Sequence, residues 1–243
     1  MKLLRKIRYK LMSENKTGRY LKYALGEIFL VMIGILLALQ VNNWNESRKN
    51  RLEEQSIYNS LISSLESDLD DVIDKIAVVN KAVNAQNIFM HNAFDSIKHN
   101  FDISQIEDLL FQLSESSRSF FPNYGLYNKI SNNNQIDLIQ SNDLQMQIIE
   151  LYEQFYKRYI DVDLNIEKQS IFSLYINFFS KIQNHATEYG RYEIDFEILR
   201  DNYDVLQDEC RKINTLTVLV HGTMTTCKNE IESLLMALKE QVN

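Results

Sequence analysis

The sequence predicts an all-α protein: an N-terminal transmembrane helix followed by an elongated antiparallel helical bundle with long coiled-coil-like helices. Three observations carry this expectation. Glycine occurs 6 times and proline once in 243 residues, where average usage would give roughly 17 and 12. Sandwiches, barrels and doubly wound folds need many more turn-formers than that. An unbroken apolar run lies near the start, and three later stretches repeat their apolar residues in steps of three and four, the period of one helix face.

The first 22 residues form a basic head. Lys2, Arg5, Lys6, Arg8, Lys10, Lys16, Arg19 and Lys22 stand against Glu14 alone, a balance of +7, while the remainder carries −14. Such an acidic body repels phosphate backbones, so nucleic acid is not an expected partner. Within the head, Leu3, Leu4, Ile7 and Leu11 fall at helical spacing among the basic residues. The head therefore reads two ways, as a short amphipathic helix on an anionic leaflet or as a plain topogenic tail.

Residues 23–44 read as the membrane span. Ile28 to Leu39 is wholly apolar, and Tyr23 and Trp44 flank it. From one aromatic to the other is about 33 Å of helix, which matches a hydrocarbon core of about 30 Å. Aromatic rings with a polar edge favour the headgroup level, which makes Tyr23 and Trp44 the expected interface anchors. A cleaved signal peptide fits less well, because Ala38-Leu39-Gln40 offers no small-x-small site. Eight Lys/Arg precede the span and only Arg48, Lys49 and Arg51 closely follow it. The positive-inside rule then puts the N-terminus in the cytoplasm and residues 45–243 outside. Glu27 lies about one turn inside the Tyr23 boundary and is expected to be solvated there rather than to serve an ion path. Gly34 and Ala38 make a small-xxx-small pair that permits close approach of a second helix.

Gly26-Glu27-Ile28 and the run Ile33 to Glu46, with Ser13-Glu14-Asn15-Lys16 before them, resemble a family of single-span membrane proteins of Bacteroidota classed as a domain of unknown function. Tyr127 to Ile139 is similar to that family's Tyr-x-x-Leu-x-Ser-Ser-Gly-x-Leu-x-Leu-Ile segment, with Asn134 where the Gly usually falls. Asn tolerates the left-handed conformation next best, so a turn at that point survives. The resemblance implies a Gram-negative envelope protein with a helical domain in the periplasm. It implies no activity.

The body, residues 45–243, is expected to hold long helices at about 47–94, 141–185 and 200–241, with short ones at about 104–116 and 124–140. Tyr58, Leu61, Leu65, Leu69, Val72, Ile76, Val79 and Val83 form the first stripe, and the helix can run on unbroken from the span. Glu66, Asp68, Asp70, Asp71 and Asp74 then read as a solvated face. The pattern fades at Asn92–Asn100. Ser104 and Glu107 have the spacing of a capping box that opens a helix with Ile106, Leu109, Leu110 and Leu113 inward. Phe120 to Gly125 contains the proline and is the clearest break, with a turn expected at Asn132–Asn134. Leu144, Ile148, Leu151, Phe155, Tyr159, Val162 and Ile166 stripe the second long helix, which Ile171, Leu174 and Phe178 continue and Tyr189-Gly190 closes. Tyr192–Leu199 reads as loop leading into helix. The last stripe alternates threes and fours from Tyr203 through Leu206, Cys210, Ile213, Thr217, Val220, Met224, Cys227, Ile231 and Leu234 to Leu238, a heptad period.

Chemistry is hard to place on this chain. Cys210 and Cys227 fall on the buried stripe and read as small core residues, with an intermolecular bridge as the lesser alternative. His91, His99, His185 and His221 make no helical metal-site spacing. There is no Gly-rich phosphate cradle and no Gly-bracketed Ser. Phe155, Tyr159 and Phe178 occupy stripe positions and read as core rather than as a ligand cage. No catalytic residue, metal or cofactor is expected, and the chain does not read as an enzyme. The expected partners are the lipid bilayer and protein, a second copy included. The leading functional expectation is an inner-membrane interaction or scaffolding module. The alternative is a sensor-type bundle that binds a small ligand and signals through a partner.

Overall fold

The structure is a computed structural model that describes residues 17–114, 118–166, 172–182 and 196–242. The protein is all-α, with no strand among the described residues. It divides into two units, Met1–Gln55 and Ser56–Asn243, and α1 (Thr17–His91) contributes to both.

The second unit is a helical bundle. After α1 come α2 (Phe94–Asn100), α3 (Ile103–Ser114) and α4 (Gly125–Asn132), then a 3-10 turn (Gln135–Leu138). The second long run is α5 (Asn142–Glu150), a π-helical segment (Leu151–Tyr156) and α6 (Lys157–Ile166). It resumes as α7 (Phe172–Leu174), a second π segment (Tyr175–Phe179) and α8 (Ser180–Ile182). Next come α9 (Phe196–Asp201) and α10 (Tyr203–Val242).

Cross-helix contacts fix the directions. Glu66 pairs with Lys239 at 2.7 Å, Gln86 Nε2 donates to Thr217 Oγ1 at 3.0 Å, and Tyr203 OH donates to the Asn92 carbonyl at 2.8 Å. Numbers rise along α1 as they fall along α10, so the two are antiparallel. Cys227 Sγ donates to the Phe155 carbonyl and Ser173 Oγ to Glu209, which makes the 142–182 run antiparallel to α10 as well. The first and second long runs are therefore parallel, and the chain must travel back between them. Residues 92–141 are that return path. Two apolar clusters fill the bundle, one around Leu61, Leu65, Tyr156 and Met224, the other around Phe89, Leu110, Phe178 and Leu206.

Each residue of the α10 stripe is buried, from Tyr203 to Leu238. Both cysteines lie in it as free thiols, so an intermolecular bridge would require the bundle to open. On α1, Tyr58, Leu61, Leu65, Val72 and Val79 are buried, and Leu69, Ile76 and Val83 pack against them. Asn134 adopts the left-handed conformation, φ 54°, and closes α4 against the 3-10 turn. Ser141 caps α5, its hydroxyl oxygen accepting from the Leu144 amide at 3.3 Å.

Four details differ from the sequence reading. The fading pattern at 92–100 conceals α2, which buries Ile97. The capping box of α3 is not Ser104–Glu107. Asp102 and Gln105 make it, with the Gln105 amide donating to Asp102 Oδ1 at 2.8 Å and the Asp102 amide to Gln105 Oε1 at 2.9 Å. Asp and Gln satisfy the motif as well as Ser and Glu do, and the helix starts one residue earlier than Ser104. The π segments add a residue per turn and rotate the buried face. Tyr152 and Tyr156 become fully buried, while Phe155, a stripe position at α-helical period, is only half-buried. Finally, Asp68 is not on the solvated face but 3 % exposed. Residues 1–16 of the basic head, Ile171, His185, Tyr189-Gly190 and residues 192–195 lie outside the described residues.

Asp102→Ala should cost about 1 kcal/mol in urea unfolding, whereas Ser104→Ala should stay within about 0.5 kcal/mol. Equal losses would return the cap to Ser104.

Candidate functional site

In the first unit the apolar run lies open. Ile28, Phe29, Leu30, Leu36 and Leu37 are each more than half exposed, as are Val41 and Trp44. With the exposed Val31 and Ile35, these residues cover the whole circumference of the helix rather than one stripe. A helix apolar all round is stable only inside an apolar surrounding. Covering the ten large side chains between Ile28 and Leu39 is worth on the order of 20 kcal/mol. The segment is long and apolar enough to cross a membrane, with a mean hydropathy of 2.3 over its best window. Tyr23 is within the helix, but its side chain is outside the described set. Gly34 and Ala38 are both exposed, and a Cβ built on Gly34 meets nothing within 4 Å. That face is free for a second helix.

In the second unit the most organised polar group surrounds Asp68. Its Oδ2 accepts from Tyr156 OH at 2.9 Å and its Oδ1 from the Asn123 amide at 3.1 Å. Burial pushes the Asp68 carboxyl up, against the lowering effect of those two donors. Tyr159 OH accepts from the Phe120 amide at 2.7 Å, and Tyr124 OH donates to the Tyr152 carbonyl at 3.0 Å. The rings interlock: Tyr127 stacks on Tyr152 at 4.4 Å, and Tyr152 meets Tyr156 edge-on at 5.1 Å. Burial drives the phenols of Tyr152, Tyr156 and Tyr159 well above their ordinary value. Burial also raises Tyr124 and Tyr127 to about 12. These phenols stay neutral, and those of Tyr124, Tyr156 and Tyr159 serve as hydrogen-bonding groups. Tyr152, Tyr156 and Tyr159 expose no surface, so their rings order the core.

A second buried acid is Glu209, which accepts from Ser173 Oγ, Asn177 Nδ2 and Lys212 Nζ at 2.7–3.0 Å. Burial works to raise it, but these donors together hold its carboxyl below the ordinary value. Burial raises Cys210 and Cys227 to about 12, so both remain thiols. No group of three His, Cys, Asp or Glu suited to a metal ion occurs among the described residues. Sequence reasoning placed Asp68 outside and did not single out Tyr152 or Tyr156. The signal that was available lay in Phe120-Phe121-Pro122, whose non-helical backbone needs acceptors wherever it is buried.

A family model described as a family of unknown function (DUF6090) matches residues 27–187. No curated protein and no solved structure matches the chain.

Tyr156→Phe should destabilise the bundle by about 2 kcal/mol at pH 7, because it strips a buried carboxylate of a donor. The charged form of Asp68 suffers that loss. The penalty should therefore shrink as the pH falls below the raised Asp68 value, read by urea titration at several pH values. A pH-independent loss would assign the effect to ring packing. Gly34→Ile should weaken self-association in a membrane two-hybrid assay, and an unchanged signal would remove the small-residue pair as a contact.

Proposed function

The chain belongs to this family of unknown function, and we propose that it is a single-pass protein of the inner membrane whose helical bundle acts in the periplasm as a non-enzymatic interaction or scaffolding module. One observation carries the reading: the large apolar side chains from Ile28 to Trp44 are exposed around the full helix. In water that surface would drive aggregation; in a bilayer it is covered by lipid tails. Trp44 then sits at one headgroup level and Tyr23 at the other. The +7 head stays in the cytoplasm and the acidic body crosses. The absence of catalytic machinery is part of the proposal. It is supported by a core closed with aromatic rings and by the burial that keeps the Tyr152, Tyr156 and Tyr159 phenols and both thiols neutral. The body's partners are proteins, a second copy among them, and its open helical faces are what it presents to them.

The runner-up, a sensor-type bundle with a small-molecule ligand, is favoured by one feature, an apolar groove of about 560 Å³ beside Arg158. Volumes of 300–1,000 Å³ are typical of ligand pockets.

Alkaline washing of membranes should leave the chain in the pellet. Leu36→Arg with Leu37→Arg should release it, since each charge at mid-span costs about 2.5–3.5 kcal/mol. Alkaline phosphatase fused after Asn243 should be active. A fluorescent cytoplasmic reporter at the same point would reverse the orientation, and a freely soluble wild-type chain would end the proposal.

A further inference from the structure

The groove beside Arg158 lies wholly in the second unit, between the π segment with the start of α6 and the middle of α10. Phe155 and Arg158 form one wall, and Val218, Leu219 and Gly222 form much of the other. Val218 is 49 % and Leu219 45 % exposed, so large apolar side chains of α10 are left uncovered on this side. Of the three threonines in the groove, Thr215 is exposed at its edge, and Thr223 and Thr226 add little polarity. Thr223 Oγ1 donates to the Val220 carbonyl at 2.9 Å and Thr226 Oγ1 to the Gly222 carbonyl at 3.0 Å. Their protons are committed to their own helix.

Gly222 sharpens the case. Glycine inside a helix weakens it by roughly 0.5–1 kcal/mol relative to alanine. Its backbone here is ordinary right-handed helix, and a Cβ at this position would meet nothing within 4 Å. Neither its conformation nor the packing of the described residues calls for glycine, and the position leaves the α10 backbone open to a body that approaches from outside.

The remaining polarity is cationic. Arg158 is exposed at the groove, and no Asp or Glu is among the residues that line it. A guanidinium fork matches a carboxylate or a similar planar-faced anion. A second copy seated here would carry its own Arg158 to the seam, with no lining acid to neutralise either. Charge complementarity therefore favours an anion over a like copy.

We propose that this groove binds an amphipathic monoanion, with an acyl or aryl body lying over Gly222 against Phe155, Val218 and Leu219 and its anionic head on Arg158. This inference rests on the ligand-binding reading of the bundle and specifies its site and ligand class. The recognition is by one charge and one apolar body, so it selects for sign and shape rather than for a particular molecule.

The test uses the full chain in phosphatidylcholine nanodiscs and 1-anilinonaphthalene-8-sulfonate as fluorescent probe, with empty nanodiscs subtracted. Saturable binding at one probe per chain is expected. Decanoate should displace it, and decan-1-ol and decyltrimethylammonium should not. Arg158→Gln should weaken binding at least tenfold, Arg158→Lys less, and Gly222→Leu should abolish it. Thermal unfolding followed by circular dichroism checks that each variant folds, and the surface change Arg158→Gln remains decisive even if Gly222→Leu does not fold. Unchanged affinity in Arg158→Gln, or displacement by the cationic decyl compound, would overturn the assignment. So would a dimer in light scattering that Gly222→Leu dissociates, because a second copy would then hold the groove. Saturable binding that ignores both variants would sink this site while leaving a ligand-binding bundle standing. No saturable binding would sink both.

Discussion

The bundle depends on how the returning chain satisfies its backbone. Two long helical runs lie parallel, so the segment between them has to come back through the bundle. Part of that path, Ser119 to Tyr124, is not helical, and Ser119 and Phe120 are buried. Buried amides without partners are costly, and the amides of Phe120, Phe121 and Asn123 each find an acceptor on a long helix. Tyr159 takes the Phe120 amide, Asp68 takes the Asn123 amide, and Asp71 takes the Phe121 amide in a longer contact of 3.5 Å. An aspartate that would otherwise sit in water is drawn into the core for this purpose.

The tyrosine cluster follows from that requirement. A buried carboxylate needs donors, and Tyr156 OH supplies one. Tyr152, Tyr156 and Tyr159 are spaced by four and three, one face of a helix, and the π segment Leu151–Tyr156 turns that face inward in place of the one that holds Phe155. The other end of the bundle solves a similar problem with amides. Gln86, fully buried, donates to Thr217 and accepts from Asn214 at 3.1 Å. Gln207 Nε2 reaches the carbonyls of Phe89, in the last turn of α1, and Asn92, just past its end, where a helix end needs donors. These contacts fix the register of α10 against α1 at points where apolar packing alone would let it slide by a heptad.

The two units pose opposite solvation problems. The bundle hides its apolar stripes from water and spends its polar groups on internal pairing. In the first unit the described large apolar side chains from Leu21 to Leu52 lie exposed and need a surrounding medium of their own kind. Membership of a family of unknown function leaves the biological task to be inferred from these surfaces. Among the described residues these surfaces include the exposed apolar helix and an apolar groove with Arg158 at its edge beside α10.

Much of this was legible in the residues. Scarce glycine and proline, the Ile28–Leu39 run and the three-four stripes fix an all-helical chain, because backbone propensity and face periodicity are local properties. The α10 stripe from Tyr203 to Leu238, the left-handed Asn134 and the Ser141 cap were readable for the same reason. The burial of Asp68, the rotation that brings in Tyr152 and Tyr156, and the groove at Gly222 were not. Each arises from a contact between segments far apart in the chain: Asp68 with Asn123 and Tyr156, and Phe155 with Cys227. Periodicity says which face of a helix avoids water, but only the packed neighbours decide which polar group must follow it inside and which apolar one is left out.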